Sequence, residues 1–116
     1  MKYLLMIYEN EKEWAKLSQA ERGAIYGEYG AFTADLKAKG KYVHGEPLQP
    51  SATASTVRVR NAKTLVTDGP FAETKEQLGG FYLVEVGDLD EALGLAARIP
   101  TARNGSIEVR PILQMG

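Results

Sequence analysis

Two stretches of the chain are apolar at nearly every position: Tyr3 to Tyr8, and Phe81 to Val86 interrupted only by Glu85. A strand that is apolar on both alternating faces is covered on both, so each stretch predicts an interior strand. Between them the period changes. Ile25, Tyr29, Phe32 and Leu36 recur at helical spacing on one face, and Ser18 followed by Glu21 forms a capping box that opens this helix. Gly40 fits its C-terminal stop. A second helix starts with Asp88 as N-cap and Glu91 at N3, has Leu89, Leu93 and Ala96 as its expected inner face, and stops at Pro100.

The remaining strands are read from alternation. Tyr42 to Leu48 is one. Thr56 to Arg60, the turn "NAK" and Thr64 to Thr67 form a hairpin with Val57 and Val59 on one face and Arg58 and Arg60 on the other. Ile107 to Ile112 is the last, and Pro111 within it suits an edge position because proline cannot donate to a ladder. The order is β-α-β, an inserted hairpin, then β-α-β. That order defines an α+β, ferredoxin-like split β-α-β domain with the first and third strands of its sheet at the centre.

Two helices cover one face of such a sheet, yet its central strands are apolar on both. A second copy stacked sheet to sheet is the simplest cover, which predicts a homodimer. The first helix adds a line of small residues, Gly23, Gly27, Gly30, Ala34 and Ala38, opposite its bulky stripe. It is read either as a tolerant outer face or as a place where another backbone or a ligand comes close.

Composition narrows the function classes. A chain of 116 residues, 44% hydrophobic and 25% charged, reads as one domain over residues 1–116. Its net charge of −1 and lack of like-charge blocks leave no basic footprint, so no direct nucleic-acid role is expected. Cysteine is absent, which removes disulfides and thiolate chemistry. The apolar run near the N-terminus is shorter than a signal core or a membrane span, so a cytoplasmic location without membrane attachment is expected. One histidine with scattered acids offers no metal spacing, and phosphate-loop and dinucleotide fingerprints are missing; no cofactor is expected.

The densest chemistry lies in "DGPFAETKE", Asp68 to Glu76. As structure, Asp68-Gly69-Pro70 is good turn chemistry, Phe71 is a core plug, and Glu73 to Glu76 is a solvated helical turn. As a site, Asp68, Glu73, Lys75 and Glu76 are groups suited to proton transfer or to holding a polar ligand. The following Gly79-Gly80 allows close backbone approach.

"VTDGPFAETKEQLGGFYLVEV", "DLDEAL", "AARIP" and "IEVRPI" together resemble the DGPF family, a branch of the YCII-related proteins, over nearly the whole chain. The resemblance implies a ferredoxin-like domain pairing into a dimeric α/β barrel, and a link to extracytoplasmic-function sigma-factor pathways without DNA binding. In prototype members it implies a His–Asp pair with the histidine on the first helix. Here that helix carries Tyr26 and Tyr29, and the single histidine, His44, lies on the next strand.

The expected site is a pocket walled by the first helix, the sheet and the DGPF segment. Asp68 and His44 are its acid–base candidates, and Glu73, Lys75, Arg110 and Tyr26 its ligand contacts. A functional His44 requires Asp68 or Glu73 within about 3 Å. Arg110 with Glu108 reads either as a cross-strand ion pair or as an anion fork. The expected function is a small-molecule enzyme doing cofactor-free acid–base chemistry. The alternative is a ligand-binding or regulatory dimer, with a purely structural interaction protein as a third reading.

Overall fold

The computed structural model describes residues 1–115. In chain order the elements are β1 (Lys2–Glu9), α1 (Glu11–Ala15), α2 (Gln19–Ala38), β2 (Tyr42–Pro47), β3 (Ser55–Arg60), β4 (Lys63–Asp68), β5 (Gln77–Glu85), α3 (Leu89–Arg98) and β6 (Ser106–Pro111). Short 3-10 turns occupy Ser51–Thr53 and Pro100–Arg103. Four strands make one antiparallel sheet in the order β2-β5-β1-β6, and β3 and β4 pair only with each other. This is the ferredoxin-like α+β arrangement, with the two doubly apolar strands at the centre and Pro111 on an edge strand. The sheet of one chain is open and does not close into a barrel.

Strand parity divides the sheet. Tyr3, Leu5 and Ile7 of β1 and Tyr82 and Val84 of β5 are buried against Phe32 and Leu36 of α2 and Ala92 and Leu95 of α3. The opposite face carries Leu4, Met6, Phe81 and Leu83, half-buried, with His44 and Glu46 beside them on one edge and Glu108 and Arg110 on the other. A hydrophobic strip rimmed by charge is thus left on the side that no helix covers.

Both expected caps form. Ser18 Oγ accepts from the Glu21 amide at 3.1 Å while the Glu21 carboxylate accepts from the Ser18 amide at 2.9 Å. Asp88 accepts from the Glu91 amide at 2.8 Å. The inner face of α3 differs from expectation: Ala92, Leu95 and Ala96 are buried, while Leu89 and Leu93 are exposed. Ala92 and Leu95 take the sheet-facing positions, which turns Leu93 outward, while Leu89 shares the stripe of Ala92 and Ala96 but lies in the exposed first turn. Helix α1, capped by Asn10, is too short to show a period in sequence. No helix of the described residues is long and apolar enough to cross a membrane.

The β3–β4 hairpin stands off the domain as an arm, and the radius of gyration is 16.2 Å, against about 13 Å for a compact chain of this size. Its turn is tighter than expected: Asn61 and Ala62, at φ 50° and 62°, form a two-residue loop. The Val57 and Val59 face is shared by Val66, and the Arg58 and Arg60 face by Lys63 and Leu65.

Candidate functional site

A cleft of about 700 Å³ opens between α2 and the sheet, where β1 ends and β5 begins, with α1 across its mouth. Its walls carry the aromatic side chains of Trp14, Tyr26, Tyr29, Tyr42 and Tyr82, and the strand at Phe81 borders it. The rings meet edge to face: Trp14 and Tyr26 at 5.5 Å, Tyr42 and Tyr82 at 6.4 Å. Two hydroxyl pairs tie helix to floor. Tyr29 and Thr101 share a hydrogen bond of 2.6 Å, and Thr33 and Tyr82 one of 2.7 Å. Burial raises both tyrosine pKa values, and these hydrogen bonds act against the rise.

Three charged side chains line the cleft close to α1. Arg22 is anchored to the α1 backbone, donating from Nη2 to Ala15 O at 2.8 Å and from Nε to Trp14 O at 3.3 Å. Glu11 is also held: its two carboxylate oxygens accept from the Ser51 amide at 2.7 Å and the Ser51 hydroxyl at 2.8 Å. Glu9 is different. Among the described residues its half-buried carboxylate has no hydrogen-bond or ion-pair partner. Desolvation, aided by the nearby Glu11 charge, raises its pKa above the ordinary glutamate range.

The backbone is arranged around Glu9. The pairing of β1 with β5 slips after Ile7, so that Ile7 faces Gly80, Tyr8 faces Leu78, and Gly79 is the extra residue of a β-bulge. A Cβ on Gly79 would lie 2.9 Å from Glu9 Oε1. The expected close approach at Gly79-Gly80 is therefore present, in two forms, because a Cβ on Gly80 would lie 2.9 Å from the Glu46 carbonyl.

Of the six candidate site residues, Tyr26 lines this cleft and Asp68, His44, Glu73, Lys75 and Arg110 do not, while Tyr29, Gly30, Gly79 and Gly80, also noted in sequence, line it too. Asp68 ends β4 on the arm and is exposed; Glu73 is exposed in irregular backbone and Lys75 in a bend. The helical turn expected over Glu73 to Glu76 does not form. Phe71 is no core plug: it is 77% exposed, because the segment leaves the domain with the arm. The expected wall is therefore corrected: α1 closes the mouth in place of the DGPF segment. That segment adjoins the cleft through its neighbour Gln77, whose Oε1 accepts from the Glu11 amide at 3.1 Å.

His44 lies on the uncovered sheet face, its Nε2 3.9 Å from Glu46 Oε1; the expected meeting with Asp68 or Glu73 does not occur within one chain. Arg110 pairs with Glu108 at 2.5 Å on the same face, an ion pair along one strand in place of the expected pair across strands. Sequence reasoning missed Glu9, although a signal existed. It is the next residue on the face that carries Tyr3, Leu5 and Ile7.

A ferredoxin-like domain with a cleft between its long helix and its sheet is thus defined. The chain belongs to the family described as YCII-related domain, whose model matches residues 1–116. It is 39% identical over 114 residues to an uncharacterized protein of Rhizobium meliloti (strain 1021), covering 97% of this chain and 92% of that one. Among solved structures it is similar to the 5-chloro-2-hydroxyhydroquinone dehydrochlorinase TftG of Burkholderia phenoliruptrix AC1100, in complex with 2,5-dihydroxybenzoquinone. The TM-score is 0.50 at 17% identity, over 99% of this chain and 96% of that chain. At that identity the likeness is one of fold.

Proposed function

We propose that the chain is a small-molecule enzyme that moves protons without a cofactor, and that Glu9 is its acid–base group. The observation that carries this reading is an unpartnered carboxylate held in an aromatic cleft with a raised pKa. A general acid or base works best when its pKa lies near the operating pH, and desolvation moves a carboxylate in that direction. Tyr29 and Tyr82 place hydroxyls on the same walls, suited to polarising a carbonyl or phenol oxygen. Tyr26, on the rim of α2, is a ligand contact. The fold likeness to a dehydrochlorinase in complex with a benzoquinone supports small-molecule chemistry and leaves the substrate open.

The working form in this reading is a homodimer, with the strip of Leu4, Met6, Phe81 and Leu83 stacked on its copy. Stacking would close the barrel, bury His44 and Arg110 near the joint, and put the arm with Asp68, and the segment after it with Glu73 and Lys75, beside a second chain.

The test is solvent exchange. The protein is incubated in D2O with pooled metabolites, and mass spectrometry follows both product and deuterium uptake. Label or product that appears with the wild type and vanishes with Glu9→Gln supports the proposal. A metabolite that stabilises the fold without label or product favours the second reading, a ligand-binding or regulatory dimer. The absence of histidine from α2, where prototype relatives are expected to carry it, gives that reading its weight.

A further inference from the structure

The charges that line the cleft do not balance. Arg22 offsets one of the two carboxylates beside α1, and Glu11 is already held by Ser51. Glu9 is left uncompensated, facing a volume walled by rings. Ring faces carry negative electrostatic potential and attract cations, most strongly those stripped of water. The protein already does this at the edge of the same wall, where the Arg22 guanidinium lies 5.9 Å from the centroid of the Trp14 ring. An anionic ligand would meet Glu9 and Glu11 among the rings, with one lining cation, Arg22, opposing them.

We propose that the cleft selects an aromatic ligand carrying a protonated amine, with the ring between the aromatic walls and the ammonium group answering Glu9. This rests on the reading that the cleft is the functional site, and it adds the ligand's charge class. The cation supplies what the fold withholds from Glu9, a counter-charge that keeps the carboxylate ionised in a desolvated place. Binding and ionisation of Glu9 are therefore linked, and a neutral ligand of the same shape lacks that linkage.

The experiment uses three probes of one shape: 2-phenylethylamine, 2-phenylethanol and phenylacetate. Calorimetric titration into the wild type is expected to rank the amine at least about tenfold tighter than the alcohol, with the acid weakest. In Glu9→Gln the amine and alcohol are expected to bind alike. The acid binding as tightly as the amine would overturn the proposal. So would an amine preference that survives Glu9→Gln, or no binding by any probe.

Gly30→Phe separates this proposal from the one beneath it. Gly30 lines the cleft and a Cβ there meets nothing within 4 Å, so the added ring is expected to fill the cleft from its wall, with circular dichroism checking that the fold is kept. Binding that prefers the acid yet is lost in Gly30→Phe overturns the charge class and leaves the site standing. Binding untouched by Gly30→Phe overturns both.

Discussion

The carboxylate of Glu9 stands where a side chain on Gly79 would have to be: a Cβ there would lie 2.9 Å from Oε1 and 3.5 Å from Cδ. Its neighbour Gly80 is constrained by main chain instead, with the Glu46 carbonyl at 2.9 Å and Pro47 Cα at 3.3 Å from the same imagined atom. A carboxylate at the end of a flexible side chain can move aside; a paired strand cannot. Gly79→Ala is therefore expected to change Tm little and to weaken ligand binding by displacing Glu9. Gly80→Ala is expected to cost about 1–3 kcal/mol by crowding β2. Thermal unfolding and ligand titration of the two variants check the contrast, and equal losses of stability would refute it.

Glu9 also sets a pH dependence. Its folded pKa is raised by desolvation and by Glu11, so the folded state keeps the proton to a higher pH than the unfolded chain does. Stability then falls as pH rises from the ordinary glutamate range through the raised value, and stays lower above it. Glu9→Gln removes the penalty. We expect its Tm to exceed that of the wild type by a few degrees at neutral pH, with the gap closing on acidification below the ordinary glutamate range. A gap independent of pH would show that the charge is not the cause.

The uncovered sheet face makes a prediction about assembly. Leu83, half-buried beside Leu4, centres the apolar strip. Leu83→Glu is expected to convert a dimer of the wild type into a folded monomer, read by sedimentation together with circular dichroism. A wild type that sediments as a monomer at micromolar concentration would remove the stacked dimer.

The glycines of α2 test the outer face of the helix. A Cβ on Gly23 or Gly27 meets nothing within 4 Å in a single chain. Alanine there should stabilise the helix by about 1 kcal/mol per site. If another chain lies against this face, the double variant loses its concentration-dependent gain in Tm, and the stripe is then an interface.

Much of this architecture was legible in the sequence because each signal was local. Ser18 with Glu21 and Asp88 with Glu91 mark helix starts by hydrogen bonds that span three residues. The double-faced runs of β1 and β5 mark the sheet centre, and Pro111 marks an edge. The cleft was harder to read. Its walls come from the end of β1, from α1 and α2, from the exit of β2 and from the start of β5. Spacing tells which face a residue occupies and nothing about what closes over it, so Glu9 reads as the polar end of a strand. The density of charge in DGPFAETKE drew attention to a segment that leaves the domain. In α3, period alone could not choose between Leu93 and Ala92 for the sheet, since both lie on plausible stripes.

Gly69 donates its amide to Ala54 O at 2.6 Å, so the arm departs and returns at a single hydrogen-bonded neck. Everything beyond that neck is topologically a side loop, whatever strand structure it holds. Changes in its length or in its Val57 and Arg58 faces therefore leave the packing of the four-stranded domain as it is. A substitution in the arm is thereby uncoupled from the core that positions the cleft.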